Sequence, residues 1–181
     1  GGKLMRKIGI VGGTGIENPD TLKGFETKII ETPYGKALCN IGEMSGNLVA
    51  FLSRHGVDHS VAPHMINYRA NIWALKEVGC SHILASTAVG SLREEIGRGD
   101  LILPDQFIDF TRLRPLSYHE EFLPHSPVHT PMADPFDAAL RAVMKEELEG
   151  MGVRFHEKGT VVTIEGPRFS TRAESRMFRS W

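Results

Sequence analysis

The sequence predicts an α/β fold, because short β-rich apolar runs alternate with segments of helical period. Two of those runs are followed directly by glycine-containing turns rich in small residues. Size and composition agree with that class. The chain has 181 residues, 41% hydrophobic and 24% charged, which suits one domain. A domain of this size buries about 70% of its unfolded surface, so its core needs no covalent staple.

The elements follow in chain order. Strands are predicted at 7–11 and 48–53, each an apolar run closed by turn residues. In PHMINYRANIWALKEVGC, Ile66, Ala70, Trp73 and Ala74 recur at helical spacing, and Gly79 ends the helix in a left-handed turn. Strands at 82–86 and 100–103 come next. Residues 111–135, rich in Pro and His and lacking any apolar repeat, predict a long irregular loop with a functional or interface role. In ADPFDAALRAVMKEELEGMG, Asp134 is the expected N-cap and Pro135 the first helical residue. Phe136, Leu140, Val143 and Met144 form the expected apolar face, and Gly150 the end. A strand at 160–164 leads to a last helix, which Thr171 and Glu174 open at capping-box spacing. That helix carries Met177, Phe178 and Trp181, for which the sequence offers no packing partner.

Several function classes are disfavoured. A net charge of -1 gives no reason to expect nucleic acid or a membrane surface as partner. No signal sequence and no membrane-spanning apolar stretch is recognisable, so a cytoplasmic location is expected. Cys39 and Cys80 form neither a zinc pattern nor a CxxC and read as small buried residues in a reducing compartment. No metal is expected: His55 and His59 are four apart, but Gly56 between them argues against a helix, and HExxH is absent. A G-x-S-x-G nucleophile elbow is also absent.

The stretch IGIVGGTGI at 8–16 fits neither the dinucleotide fingerprint, whose third glycine is missing, nor a Walker A loop, whose Gly-Lys-Ser/Thr ending is missing. It leaves a strand, flexible backbone and the Thr14 hydroxyl, which can cradle an anion or simply form a tight turn. NLVAFLSRHG ends a second strand in Arg54 and His55, and SHILASTAVGSL ends a third in Thr87. Ligands of open α/β sheets bind outside the carboxyl ends of the strands. If these three ends lie side by side, Thr14, Arg54, His55 and Thr87 converge on one oxyanion, for which phosphate is the natural guest.

GIVGGTGIENP, ETPYGK, SRHG, NYRANIWALKEVGC, TAVGSLREEI, DQFIDFTRLRP and TIEGPRFSTRAES resemble the trimeric purine nucleoside phosphorylase family, and within it the members that use 5′-methylthioadenosine. The likeness runs from Lys7 to Trp181 in the family's order. It implies an α/β fold of the phosphorylase/hydrolase-like type, with a mixed, partly barrel-like central sheet flanked by helices. It implies a single nucleoside phosphorylase domain over 1–181 that lacks its C-terminal part, and a homotrimer. The implied reaction is phosphate-dependent cleavage of 5′-methylthioadenosine to adenine and 5-methylthioribose 1-phosphate. A nucleoside and inorganic phosphate as co-substrate are the only small molecules implied, with no cofactor. The alternatives are a phosphorylase for 6-oxopurine nucleosides or methylthioinosine, and a non-catalytic phosphate-binding fragment.

Residue by residue, the resemblance makes Thr14, Arg54, His55 and Thr87 phosphate ligands and places Ala88 beside phosphate and ribose. It puts Phe169 on the purine face and Ser170 at a position that favours 6-aminopurines. It gives His129, in the irregular loop, a reach across the trimer interface toward the sugar's 5′ substituent. The aspartate that protonates the base is expected beyond Trp181, and Glu165 is not assigned that role.

Overall fold

A computed structural model describes residues 7–13 and 23–181. They divide into two compact units, the first ending at Val89 and the second starting at Gly90.

The first unit is a five-stranded sheet with one helix on it. Its strands are β1 (Lys7–Gly12), β2 (Lys23–Thr32), β3 (Gly35–Met44), β4 (Asn47–Ser53) and β5 (His82–Ala85), and its helix is α1 (Tyr68–Glu77). The spatial order is β2-β3-β4-β1-β5. The sheet is mixed: β2–β3 and β3–β4 are antiparallel, whereas β1 lies parallel between β4 and β5. It is open, and no closed barrel forms among the described residues.

The apolar runs predicted at 7–11, 48–53 and 82–86 become β1, β4 and β5, three neighbours in the sheet. Four successive residues of β4, Val49 to Leu52, are buried, as expected for a strand covered on both faces. Val11, Ala37, Cys39, Ala50 and Leu52 pack with Ala74 and Leu75 of α1 into the main core, while Val49 and Phe51 face the other way against Ile10 and Met44. Gly9 sets the helix's approach: a Cβ there would stand 3.2 Å from a Leu75 methyl. Full burial of a leucine such as Leu75 is worth about 2 kcal/mol.

β2 and β3 were not anticipated. They join through a two-residue Pro33–Tyr34 turn, in which Thr32 Oγ1 accepts from Tyr34 N–H and donates to the Gly35 carbonyl. β3 and β4 join through Ser45–Gly46, both at positive φ, the hairpin geometry that suits strand twist. Asn67 then fastens hairpin to helix. Its side chain caps α1 by accepting from Ala70 N–H and donates to the Tyr34 carbonyl. Residues 63–65 form a separate 3-10 turn, so the α-helix starts later than PHM.

The second unit holds two parallel strand pairs and two helices. β6 (Leu101–Ile102) pairs with β8 (Phe155–His156), and β7 (Gln106–Phe110) with β9 (Thr160–Ile164). The helices are α2 (Ala138–Met151) and α3 (Arg172–Ser180). The strand predicted at 100–103 is two residues long, and β7 and β8 were not anticipated.

The cap of α2 is corrected from Asp134 to Asp137, whose carboxylate accepts from Leu140 N–H at 2.7 Å. The reason is tertiary. Ala133 is held through its carbonyl by Gln106, and Phe136 stands edge-on to Phe107, so the chain at 133–136 docks on β7 before it can coil. The inward stripe is Leu140, Met144 and Leu148, while Val143 faces solvent. Gly152, at φ 66, ends the helix instead of Gly150. The α3 capping box forms as expected from Thr171 and Glu174. Its aromatic residues do have a partner: Phe178 is buried, and Phe178 and Trp181 both stand against Phe110 of β7.

Candidate active site

The parallel register aligns three strand ends. Gly12 of β1 pairs with Ser53 of β4, and Val11 with Ala85 of β5. The ladder continues one step further, with Arg54 N–H donating to the Gly12 carbonyl at 2.8 Å and Ser86 N–H to the Val11 carbonyl at 2.9 Å. Arg54 and His55 therefore follow β4, and Thr87 and Ala88 follow β5, at the same end of the sheet on either side of β1, which ends at Gly12 with Gly13 after it. Thr14, the next residue, lies outside the described residues.

Arg54 is aimed by its surroundings. Its Nη1 donates to the Ser86 carbonyl at 3.0 Å, across the end of β1. A Cβ on Gly13 would fall 1.9 Å from its Nη2 and 2.9 Å from the Ser86 carbonyl oxygen, so a side chain here would displace the guanidinium and press on backbone. Half-burial lowers the Arg54 pKa, but from a value so high that the group stays charged at neutral pH. His55 is only 8% exposed, stacks on His59 at 4.6 Å and places Nδ1 2.8 Å from the Val61 carbonyl. A carbonyl can only accept, so Nδ1 carries the proton, and Nε2 is the acceptor of the neutral ring. Thr87 and Ala88 are exposed. A fixed cation, an imidazole and a hydroxyl along one edge suit an oxyanion.

In the second unit, Phe169 and Ser170 follow the carboxyl end of β9. Phe169 is 91% exposed, and Ser170 Oγ shares a hydrogen bond of 2.7 Å with Ser175 Oγ on α3. Arg168 makes a two-pronged pair with Glu174 at 3.0 and 2.9 Å and also donates to the Phe169 carbonyl. On the other side Glu165 accepts from the backbone N–H groups of Arg112 and Leu113 at 2.5 and 2.8 Å and from Arg114 Nε at 2.9 Å. The Arg112 and Leu113 N–H groups, with the Arg114 guanidinium, hold the Glu165 carboxyl below the usual carboxylate range. It is thus an ionised acceptor, not a proton donor. His129 sits in the exposed 111–135 loop, edge-on to Phe122 at 5.7 Å. Among the described residues no group of three or more His, Cys, Asp or Glu side chains could hold a metal ion, and no helix is long and apolar enough to cross a membrane.

Sequence reading missed Gly13 as the seat of the Arg54 guanidinium, the Ser86 carbonyl as its anchor, and Arg114 with Glu165. The glycine pair at 12–13 was the only available sign of the first, since carbonyl anchors leave no trace in residue identity.

Comparison with known proteins decides the family. The model of the phosphorylase superfamily matches residues 7–181. The chain belongs to the phosphorylase superfamily. Within it, the chain is 51% identical to the S-methyl-5'-thioadenosine phosphorylase of Danio rerio, over 97% of this chain and 64% of that protein. It is 49% identical to the protein of the same name from Thermococcus kodakarensis, over 98% and 68%. Among solved superfamily structures, the methylthioadenosine phosphorylase of Schistosoma mansoni in complex with adenine matches with a TM-score of 0.89 at 34% identity, covering 97% of this chain and 70% of that one. The chain thus spans just under two thirds of the length of the Danio rerio relative.

Proposed function

We propose that the protein cleaves the N-glycosidic bond of 5′-methylthioadenosine with inorganic phosphate, releasing adenine and 5-methylthioribose 1-phosphate, and so serves purine and methionine salvage. The observation that carries this is the alignment of the parallel β4, β1 and β5 ends, with Arg54 and His55 following β4 and Thr87 following β5, in a chain about half identical to proteins named for that reaction.

Glycosidic cleavage builds positive charge on the sugar. Phosphate is already an anion, so no side chain has to be made nucleophilic, and the protein's task is placement and electrostatics. Arg54 supplies fixed charge, Thr14 and Thr87 supply hydroxyl donors, and Ala88 lets the sugar approach. Nε2 of His55 can accept from the protonated oxygen of hydrogen phosphate. Phe169 offers an aromatic face to the purine, and Ser170 suits a 6-amino group. His129 is the contact for the 5′ substituent across a homotrimer interface. Departing adenine needs a proton. Glu165, committed to three donors, does not give it, and we place the donor in the part of the relatives' length that this chain does not span.

A panel of methylthioadenosine, adenosine and inosine, with and without phosphate, tests the proposal. Adenine release from methylthioadenosine that depends on phosphate is expected. Rapid inosine turnover with no reaction of methylthioadenosine would replace the reading with that of a 6-oxopurine phosphorylase. Phosphate binding without turnover of any nucleoside would reduce it to a binding module.

A further inference from the structure

Phe169 poses a physical problem. A side chain 91% exposed has almost no packing to fix it, so its position must come from the backbone that carries it. That backbone is held at both ends. Downstream, Arg168 grips Glu174, Ser170 meets Ser175, and the Thr171–Glu174 capping box fixes the start of α3. Upstream the hold is the Arg114–Glu165 pair. Arg114 Nε reaches Glu165 Oε1, and its Nη2 donates back to the carbonyls of Glu165 and Ile164. Glu165 Oε2 in turn takes the Arg112 and Leu113 N–H groups.

The pair closes the carboxyl ends of two parallel strands. β7 and β9 stay in register to Phe110 and Ile164, and the clamp joins the residues that follow on each. Arg114 and Glu165 side chains are only 11% and 22% exposed. An ion pair taken so far out of water adds little net stability, because desolvation offsets the attraction, whereas its several fixed bonds define geometry.

We propose that Arg114 and Glu165 are positioning residues for purine recognition: their clamp across the ends of β7 and β9 fixes the 166–170 segment so that the Phe169 ring and the Ser170 hydroxyl are presented to the base in one place. This rests on the reaction proposed above. Replacing Glu165 removes the carboxylate that accepts from the Arg112 and Leu113 N–H groups and from Arg114 Nε, so the segment shifts, while the strand ends that carry Arg54 belong to the other unit.

The test uses the purified full-length protein with Glu165→Gln and, separately, Arg114→Met. Both variants are expected to raise KM for methylthioadenosine and Kd for adenine by about tenfold to a hundredfold, the scale of misplacement by an ångström. KM for phosphate should stay within about twofold, a split that general loss of folded protein does not produce. The double variant should be no worse than the poorer single one, as for two parts of one clamp. Unchanged adenine affinity in both variants, or equal rises in both KM values, would overturn the proposal. A wild-type protein that released no adenine would defeat the reaction alone. The clamp would then stand or fall on limited trypsin cleavage after Arg168, expected to speed up in both variants and to stay at the wild-type rate if the clamp positions nothing.

Discussion

At the scale of single residues, the edge proposed to hold phosphate depends on one exchange of volume. Gly13 gives up a side chain and the Arg54 guanidinium takes the space, tied to the Ser86 carbonyl. A charge-assisted hydrogen bond of this kind is worth about 1.5–3 kcal/mol. Arg54→Ala is therefore expected to raise KM for phosphate by roughly tenfold to a hundredfold while KM for methylthioadenosine changes little. Steady-state kinetics with each substrate varied in turn measure both; normal phosphate dependence in the variant would remove Arg54 from the anion site. A second residue-scale expectation concerns Asp100. It accepts from His156 Nε2 at 2.8 Å and from Gly97 N–H at 2.9 Å, and it forms an ion pair with Arg154 Nε at 3.2 Å. The His156 bond, then the Gly97 bond, lower its pKa. A carboxyl lowered by folding stabilises the folded state above its unfolded pKa, and that contribution disappears as pH falls through the lowered value. Melting curves of wild type and Asp100→Asn should differ at neutral pH and converge in acid. A gap that persisted to the lowest pH would mean the carboxylate's charge is not what matters there.

At the scale of elements, legibility followed burial. β1, β4 and β5 were readable because each is a short apolar run between turn residues, and the ends of β4 and β5 carry Arg54, His55 and Thr87 on either side of β1. β2 and β3 escaped notice because an outer hairpin is wet on one side. Ile29 and Leu38 lie exposed, charged residues interrupt β2, and only Ser45–Gly46 signalled the second turn. β7 and β8 are short and half-buried, and their pairing with β9 and β6 is a long-range fact that no local period encodes. The α2 cap illustrates tertiary override. Asp134 before Pro135 is a good start signal, yet docking of 133–136 on β7 defers the helix to Asp137. Asp137→Ala should destabilise the protein by about 1 kcal/mol, whereas Asp134→Ala should stay within about 0.5 kcal/mol. Urea unfolding of the two variants measures the difference, and equal effects would contradict the reassigned cap.

At the scale of the whole molecule, the chain joins an open mixed sheet with a helix to a second unit of two parallel strand pairs, and family membership covers both. The residues proposed to hold phosphate could be argued without any relative, since a hydroxyl, a guanidinium and a glycine recurring at strand ends suit an oxyanion on chemical grounds. The residues proposed to face the purine could not. An exposed Phe169, a Ser170 bonded to the helix that follows it and a loop histidine have ordinary structural readings, and only the likeness to the family gave them roles. Glu165 shows the value of geometry over proximity, because the carboxylate nearest the purine motif is spent on holding the chain in place. In the proposed reaction, phosphate held at the strand ends becomes bonded to the sugar. Phosphorus NMR of the full-length protein turning over methylthioadenosine in phosphate buffer tests it most directly. A sugar 1-phosphate resonance growing in step with free adenine is the expected result; adenine released with free methylthioribose and no new phosphate ester would contradict the claim.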